Sequence, residues 1–188
     1  QVFSHIITCL VEGEFMQMED VYRIDQGIER YMTKTQKKTA DFMEGCMELG
    51  GLLGDWQEDE IIELKKYGHA LGMAFQITDD IMDYRETAET TGKPVGNDLR
   101  EGLLTYPLLS IVNDGNKDKL LEDIKGLNNG GNEQDIIDYV IAQGGIDNTL
   151  AVADKYCKDA LAALAAVRDF PGKEFLVMAV ENLADRKV

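Results

Sequence analysis

Apolar residues recur at helical spacing along nearly the whole chain, and no stretch shows the strict alternation of a half-buried strand. The opening run of Val2, Phe3, Ile6, Ile7, Leu10 and Val11 predicts a helix over 2–20. Further helices are predicted over 25–33 and 36–53, the second ending near Gly50, Gly51 and Gly54. Asp55 followed by Glu58 resembles a capping box and predicts a long helix over about 57–84, crossed only by Gly68 and Gly72. The polar stretch at 85–98, RETAETTGKPVGND, reads as a loop. Pro107 suits a first helical turn, so a helix is expected from there to about 113. Helices at 117–126 and 132–142 flank the turn-forming NNGGN, an Ala-rich helix covers 146–167, and a last one covers 173–185 after Pro171 and Gly172. The pattern predicts an all-α chain with no internal repeat and no linker. Because it opens at Gln1 inside a helical run, residues 1–188 read as the C-terminal part of a single larger domain.

Composition narrows the function. Of 188 residues, 44% are hydrophobic, enough for a packed core and too many for a disordered chain. The formal net charge of -16 repels phosphate backbones, so no nucleic-acid partner is expected. Divalent cations can still bridge such a surface to an anionic substrate. Cys9, Cys46 and Cys157 form no C-x-x-C, which argues against a disulfide framework or zinc knuckle and for a reducing, cytoplasmic setting. His5 and His69 stand alone and read as ordinary helix residues. No apolar run is long enough for a transmembrane segment.

The chemistry concentrates in ALGMAFQITDDIMDY. Leu71, Met73, Ala74, Phe75, Ile77, Ile81 and Met82 make this helix apolar nearly all round, as a buried helix is, yet it carries Asp79, Asp80 and Asp83. Asp79 and Asp83 lie about 40° apart on one face, with Gln76 on the same stripe a turn earlier. Two carboxylates a few ångströms apart repel by about 4 kcal/mol at an effective dielectric of about 20. Either they share a proton or a cation sits between them, and hard oxygen ligands suit Mg²⁺. The competing reading is a solvated acidic face, which the apolar flanks disfavour.

Two further features bear on anions. In TGKPVGNDLREG, Lys93 stands between glycines whose backbone N–H groups can turn toward a phosphate, and Asp98 adds a carboxylate. Upstream, Lys34, Lys37 and Lys38 form the densest basic patch in the chain, with Thr39 beside it. A surface turn and a solvated basic helix start are the competing readings.

Together these segments resemble a known family. GMAFQITDDIMDY, GKPVGNDLREG and TYPLL are similar to the second aspartate-rich region of trans-isoprenyl (polyprenyl) diphosphate synthases, KKTA to their K-T-A motif, and VEGEFMQ to their G-E-x-x-Q helix. The order and spacing agree over essentially the whole chain, most closely with medium- and long-chain, hexaprenyl- or heptaprenyl-type enzymes. The resemblance implies an isoprenoid synthase helical bundle and a prenyltransferase. It would use Mg²⁺ on an allylic diphosphate to drive condensation with isopentenyl diphosphate. It also implies roles. Asp79 and Asp83 would ligate one ion with Asp80 nearby, and Asp98 would hold metal-bound water. Lys38 and Lys93 would contact the diphosphate. Thr39 and Gln76 would sit at the reacting carbons, and Gln17 would line the same cavity. A homodimer, with a heterodimer as alternative, is implied as well.

Two departures stand out. Leu103 occupies a position where much of the family has lysine, and the first aspartate-rich motif is absent. The chain alone is therefore expected to hold half a site and no synthase activity. The alternatives are a non-catalytic helical subunit of a heteromeric synthase and a helical terpene cyclase, the latter disfavoured by GKPVGND and KKTA.

Overall fold

A computed structural model describes residues 1–85 and 96–185, and the element that organises them is a single long helix. Helix α1 spans Val2–Glu19, α2 Gly27–Thr35, α3 Asp41–Leu53 and α4 Glu58–Arg85. After the undescribed stretch come α5 (Asn97–Glu101), α6 (Tyr106–Leu109), α7 (Lys117–Gly126), α8 (Glu133–Ala142), α9 (Gly145–Ala165) and α10 (Lys173–Asp185). The described residues contain no strand, as the periodicity predicted. At 1.5 Å per residue α4 is roughly 42 Å long, and its two ends serve two cores.

Facing α9 and α10, Tyr67, Ala70 and Ala74 pack with Cys157, Ala160, Ala163 and Leu164 of α9 and Val180 and Leu183 of α10. The small alanines on both sides let α4 and α9 run close along their length. Tyr67 lies at the centre and donates its hydroxyl to the Leu176 carbonyl at 2.9 Å, pinning α10. In its second half, Met73, Ile77, Ile81 and Tyr84 join Tyr31 of α2, Leu99 of α5, Leu108 of α6, Ile124 of α7 and Ile137 of α8. The short helices thus close over the end of α4 that carries the acids.

Three local departures from the sequence reading have physical causes. No break separates α2 from α3: they run on through a π-helical turn, Gln36–Ala40. Such a turn takes one extra residue into the helix without ending it. The start of α4 is stabilised by a different pair from Asp55 and Glu58. The Gln57 N–H donates to Glu60 Oε2 at 3.4 Å and the Gln57 carbonyl accepts from Ile61 at 3.0 Å, whereas Asp55 sits in the preceding turn at φ 55°. Helix α6 stops at Leu109, short of the predicted 113, because Asn113 and Asn116 bond the backbone locally: Asn116 Oδ1 accepts from Asn113 N at 2.8 Å. Of the predicted loop at 85–98, Gly92, Lys93 and Pro94 lie outside the described residues.

The two glycines inside α4 are contact points. A Cβ on Gly68 would meet the Met43 carbonyl of α3 at 2.6 Å, and one on Gly72 would meet Ala40 Cα of the π turn at 2.6 Å. From the other side, a Cβ on Gly13 of α1 would lie 2.7 Å from the Lys38 backbone nitrogen. The π turn is therefore clamped between helices at backbone distance. Gly72→Ala should destabilise the chain by about 1–3 kcal/mol through overpacking, although alanine is the better helix former. Gly50→Ala, with nothing within 4 Å of its Cβ, should instead gain up to about 1 kcal/mol. Urea unfolding of the two variants checks the opposite signs.

Candidate active site

The three acids of α4 have separate environments. Asp80 is 3% exposed. Its Oδ2 accepts the Tyr31 hydroxyl at 2.6 Å and the Tyr106 backbone N–H at 3.2 Å, and its Oδ1 accepts Gln76 Nε2 at 3.3 Å. Tyr31 and Tyr106 also meet edge to face at 5.6 Å. Desolvation pushes the Asp80 carboxyl up to about 6, against the lowering effect of those three donors. Asp83 is half-buried and reaches across to α5, accepting the backbone N–H groups of Asn97 and Asp98 at 3.1 Å each. Burial raises its pKa, and those two bonds oppose the rise. Asp79 is exposed and makes the open edge of the group. The fully buried acid is thus Asp80, and the Asp79–Asp83 face opens outward.

Helix α5 brings the fourth acid. Gly96 enters it at φ 74°, and its N–H bonds the Asp83 carbonyl at 3.0 Å. This fixes Asp98 beside the end of α4. Desolvation first, then the charges of Asp83, Asp80, Asp79 and Glu101, push Asp98 up to about 7.

Facing the acids, the clamped π turn presents Lys38 and Thr39. Lys38 Nζ lies 2.9 Å from Gln17 Oε1 and 2.9 Å from Glu14 Oε2, both on α1. Thr39 donates its hydroxyl to Gln76 Oε1 at 3.1 Å. Lys37 points the other way, to Glu12 at 2.5 Å, so the basic patch read from sequence divides between two faces. A cavity of about 290 Å³ lies between these walls, lined by Gln17, Lys38, Thr39, Gln76, Asp79, Asp80 and Asp98. Seven of the nine residues singled out from sequence therefore meet in one cavity. Asp83 stands behind Asp98, outside the lining, and Lys93 lies outside the described residues.

The lining also includes Tyr31, Lys34, Thr35, Leu103, Leu104 and Thr105. Tyr31 and Thr35 escaped the sequence reading, yet the signal was present. Positions 31, 34, 35, 38 and 39 repeat at three- and four-residue spacing, which is one face of a helix.

The oxygen-only donor set at the acidic wall fits a hard divalent cation. Its repulsion, visible in the raised Asp98 carboxyl, is what such a cation would relieve. A different group, Asp41, Glu44 and His69, brings three ligand atoms within 4.8 Å on the outer face of α3 and α4. There Lys65 already lies 3.6 Å from Glu44, and His69 Nδ1 lies 3.5 Å from it, so an ion-pair network accounts for that cluster.

Raised carboxyl pKa values carry a sign. Asp98 binds its proton more tightly folded than unfolded, so its stabilising effect is complete below the ordinary carboxylate range and disappears as pH rises through about 7. Asp98→Asn should leave melting temperature nearly unchanged near pH 4 and raise it progressively toward about pH 8. At the upper pH, Mg²⁺ should raise the melting temperature of the unchanged chain more than that of Asp98→Asn. Thermal melts across pH, with and without Mg²⁺, check both.

Known proteins share this arrangement of segments. The polyprenyl synthetase family matches residues 1–143. Heptaprenyl diphosphate synthase component 2 of Geobacillus stearothermophilus is 32% identical over 161 residues, 86% of this chain and 50% of that protein. Octaprenyl diphosphate synthase of Escherichia coli is 33% identical over 181 residues, 94% of this chain and 56% of that protein. The chain thus spans about half the length of these curated relatives. A crystal structure of polyprenyl synthase from Caulobacter crescentus, complexed with calcium and isoprenyl diphosphate, superposes with a TM-score of 0.87 at 28% identity, covering 100% of this chain and 58% of that one. With a family match over most of its length and the same helical fold, this chain belongs to the polyprenyl synthetase family.

Proposed function

We propose that this chain forms one wall of the active site of a Mg²⁺-dependent polyprenyl diphosphate synthase, which joins an allylic diphosphate to isopentenyl diphosphate. The observation that carries the reading is the juxtaposition of Asp79, Asp80 and Asp98 with Lys38, Thr39, Gln76 and Gln17 around one cavity. The calcium and isoprenyl diphosphate in the Caulobacter relative supply the matching ligand chemistry.

Asp79 and Asp98 would hold the metal from the cavity wall, with water and phosphate oxygens completing its shell, and Asp83 would steady Asp98 through the Asn97 and Asp98 N–H groups that its two oxygens accept. Bound magnesium would supply the Lewis acidity that lets a diphosphate depart. The chain's own groups orient and neutralise. Lys38, steadied by Gln17, meets phosphate oxygens, and Lys93 is assigned the same task. The Gln76 amide has one orientation, because its oxygen takes the Thr39 hydroxyl and its nitrogen gives to Asp80. It therefore presents a fixed dipole beside the reacting carbons rather than one that must reorganise. Asp80, with both oxygens bonded inside the protein, serves to hold Gln76 and the wall. The remaining carboxylates of the site belong to the half of the relatives' length that this chain does not span.

Assembly with a second subunit is part of the proposal. Phe3, Ile7, Val11, Phe15 and Met18 of α1 are all exposed and follow one another at four- and three-residue spacing. Such a continuous apolar stripe suits a protein interface. The alternative, a non-catalytic supporting subunit of a heteromeric synthase, is compatible with one fact: the Geobacillus relative is named a component.

The gene product carrying this chain, given Mg²⁺, isopentenyl diphosphate and an allylic diphosphate, should yield elongated prenyl diphosphates, and a chelator should stop it. Asp79→Ala should lower kcat by at least about 100-fold with unchanged helicity by circular dichroism. Elongation only after adding a second subunit, with Asp79→Ala harmless, would establish the supporting-subunit reading. No elongation under either condition refutes both.

A further inference from the structure

Lys34 is a cation in the wall of the cavity that makes no hydrogen bond among the described residues. It is 8% exposed and lines the same space as Lys38. Its nearest carboxylate oxygen, Asp20 Oδ2, is 4.0 Å away, beyond hydrogen-bonding distance. Asp20 is tied through its other oxygen: Oδ1 accepts Arg30 Nε at 2.6 Å and lies 3.6 Å from Arg23, while the buried Oδ2 has no hydrogen-bond partner and faces Lys34 as a loose ion pair. The Tyr31 ring centroid is 5.7 Å from Lys34 Nζ, a weak contact for an ammonium. Among the described residues none accepts a hydrogen bond from this group.

Burying an ammonium costs several kcal/mol unless good partners repay it. Here they do not: desolvation lowers the Lys34 pKa despite the attraction of Asp20 and Asp80. A buried ammonium in the lining of a cavity, with one carboxylate oxygen at 4.0 Å and no hydrogen bond among the described residues, keeps its N–H donors for an anion in that cavity.

The sequence around it repeats. Lys34-Thr35 precedes Lys38-Thr39 by four residues, about one helical turn, and all four line the cavity. The two ammonium groups therefore stand in succession along one face. A ligand with two linked phosphoryl groups presents acceptor oxygens in the same succession.

We infer that Lys34 is a second diphosphate-binding lysine of this cavity, acting with Lys38 on the oxygens of the substrate's diphosphate group. The inference rests on the prenyl-diphosphate reading above and adds to it a residue that contacts substrate.

The test is calorimetric titration of the gene product carrying this chain with inorganic pyrophosphate in the presence of Mg²⁺. Lys34→Met keeps the stem and removes the charge; it should weaken pyrophosphate binding about 10- to 100-fold, the range for losing a charged hydrogen bond. Lys34→Arg should stay within several-fold of the unchanged protein. Replacing a poorly paired buried cation by an apolar side chain should leave the melting temperature equal or higher. Pyrophosphate affinity of Lys34→Met within about twofold of the unchanged protein overturns the inference, and a lowered melting temperature alongside it would make Lys34 the structural partner of Asp20. Should Lys34→Met not fold, Lys34→Gln carries the same comparison with a polar neutral side chain. If the unchanged protein shows no Mg²⁺-dependent pyrophosphate binding at all, the prenyl-diphosphate reading itself fails.

Discussion

Asp80 is a carboxylate with almost no water, and the arrangement of the site follows from how that is tolerated. An isolated charge so buried would either take up a proton or unfold its surroundings. Here the phenol of Tyr31, the backbone N–H of Tyr106 and the amide of Gln76 share it. Those donors come from α2, the start of α6 and α4 itself. A single acid therefore fixes three elements relative to one another, and the cavity is the space between them. Removing any donor leaves a charge that desolvation already penalises, so these partners depend on one another.

The opposite wall is held by shape rather than by charge. Gly13 and Gly72 bring α1 and α4 to backbone distance on either side of the π turn. Side chains there would push the helices apart and with them Lys38 and Thr39. Because the clamp acts on backbone atoms, it fixes where Thr39 stands, and the Gln76 side chain, held at its other end by Asp80, accepts the Thr39 hydroxyl. The lysine needs such support. Its long stem has many rotamers, and Gln17 and Glu14 select one of them before any ligand arrives.

Much of this was legible in the sequence, for identifiable reasons. The length of α4, its unbroken apolar pattern and the position of its acids are local properties, and periodicity reads them well. What periodicity could not settle was which side of a helix apolar all round faces the core. Met73, Ile77, Ile81 and Tyr84 turn toward the short helices, and that orientation buries Asp80 while opening Asp79 to solvent. The choice is made by partners some fifty residues away in sequence, such as Tyr31. The π turn was hidden as well. A π turn is defined by backbone hydrogen bonding and carries no residue signature of its own, so Gln36–Ala40 looks like ordinary helix in the sequence. Asp83 shows a third limit: its carboxylate serves the N-terminus of α5, a helix of five residues too short to announce itself.

The charge distribution has its own logic. A chain of net charge -16 would seem a poor receptor for an anion. Yet the acidic groups at the cavity are concentrated on one wall, formed by the end of α4 and by α5, while Lys34 and Lys38 come from the other. Lys37, one residue from Lys38, is turned outward and neutralised by Glu12. The π turn thus sorts three neighbouring lysines, keeping two for the interior. Acids that raise one another's pKa favour a divalent cation, and a buried lysine without a hydrogen bond among the described residues favours an oxygen anion. A metal–phosphate pair, as proposed, would satisfy both walls at once, whereas a lone anion would face the carboxylates and a lone cation the lysines. In the proposed function, selectivity for the pair over either partner would follow from the separation of the two walls, fixed by Asp80 on one side and the glycine clamp on the other.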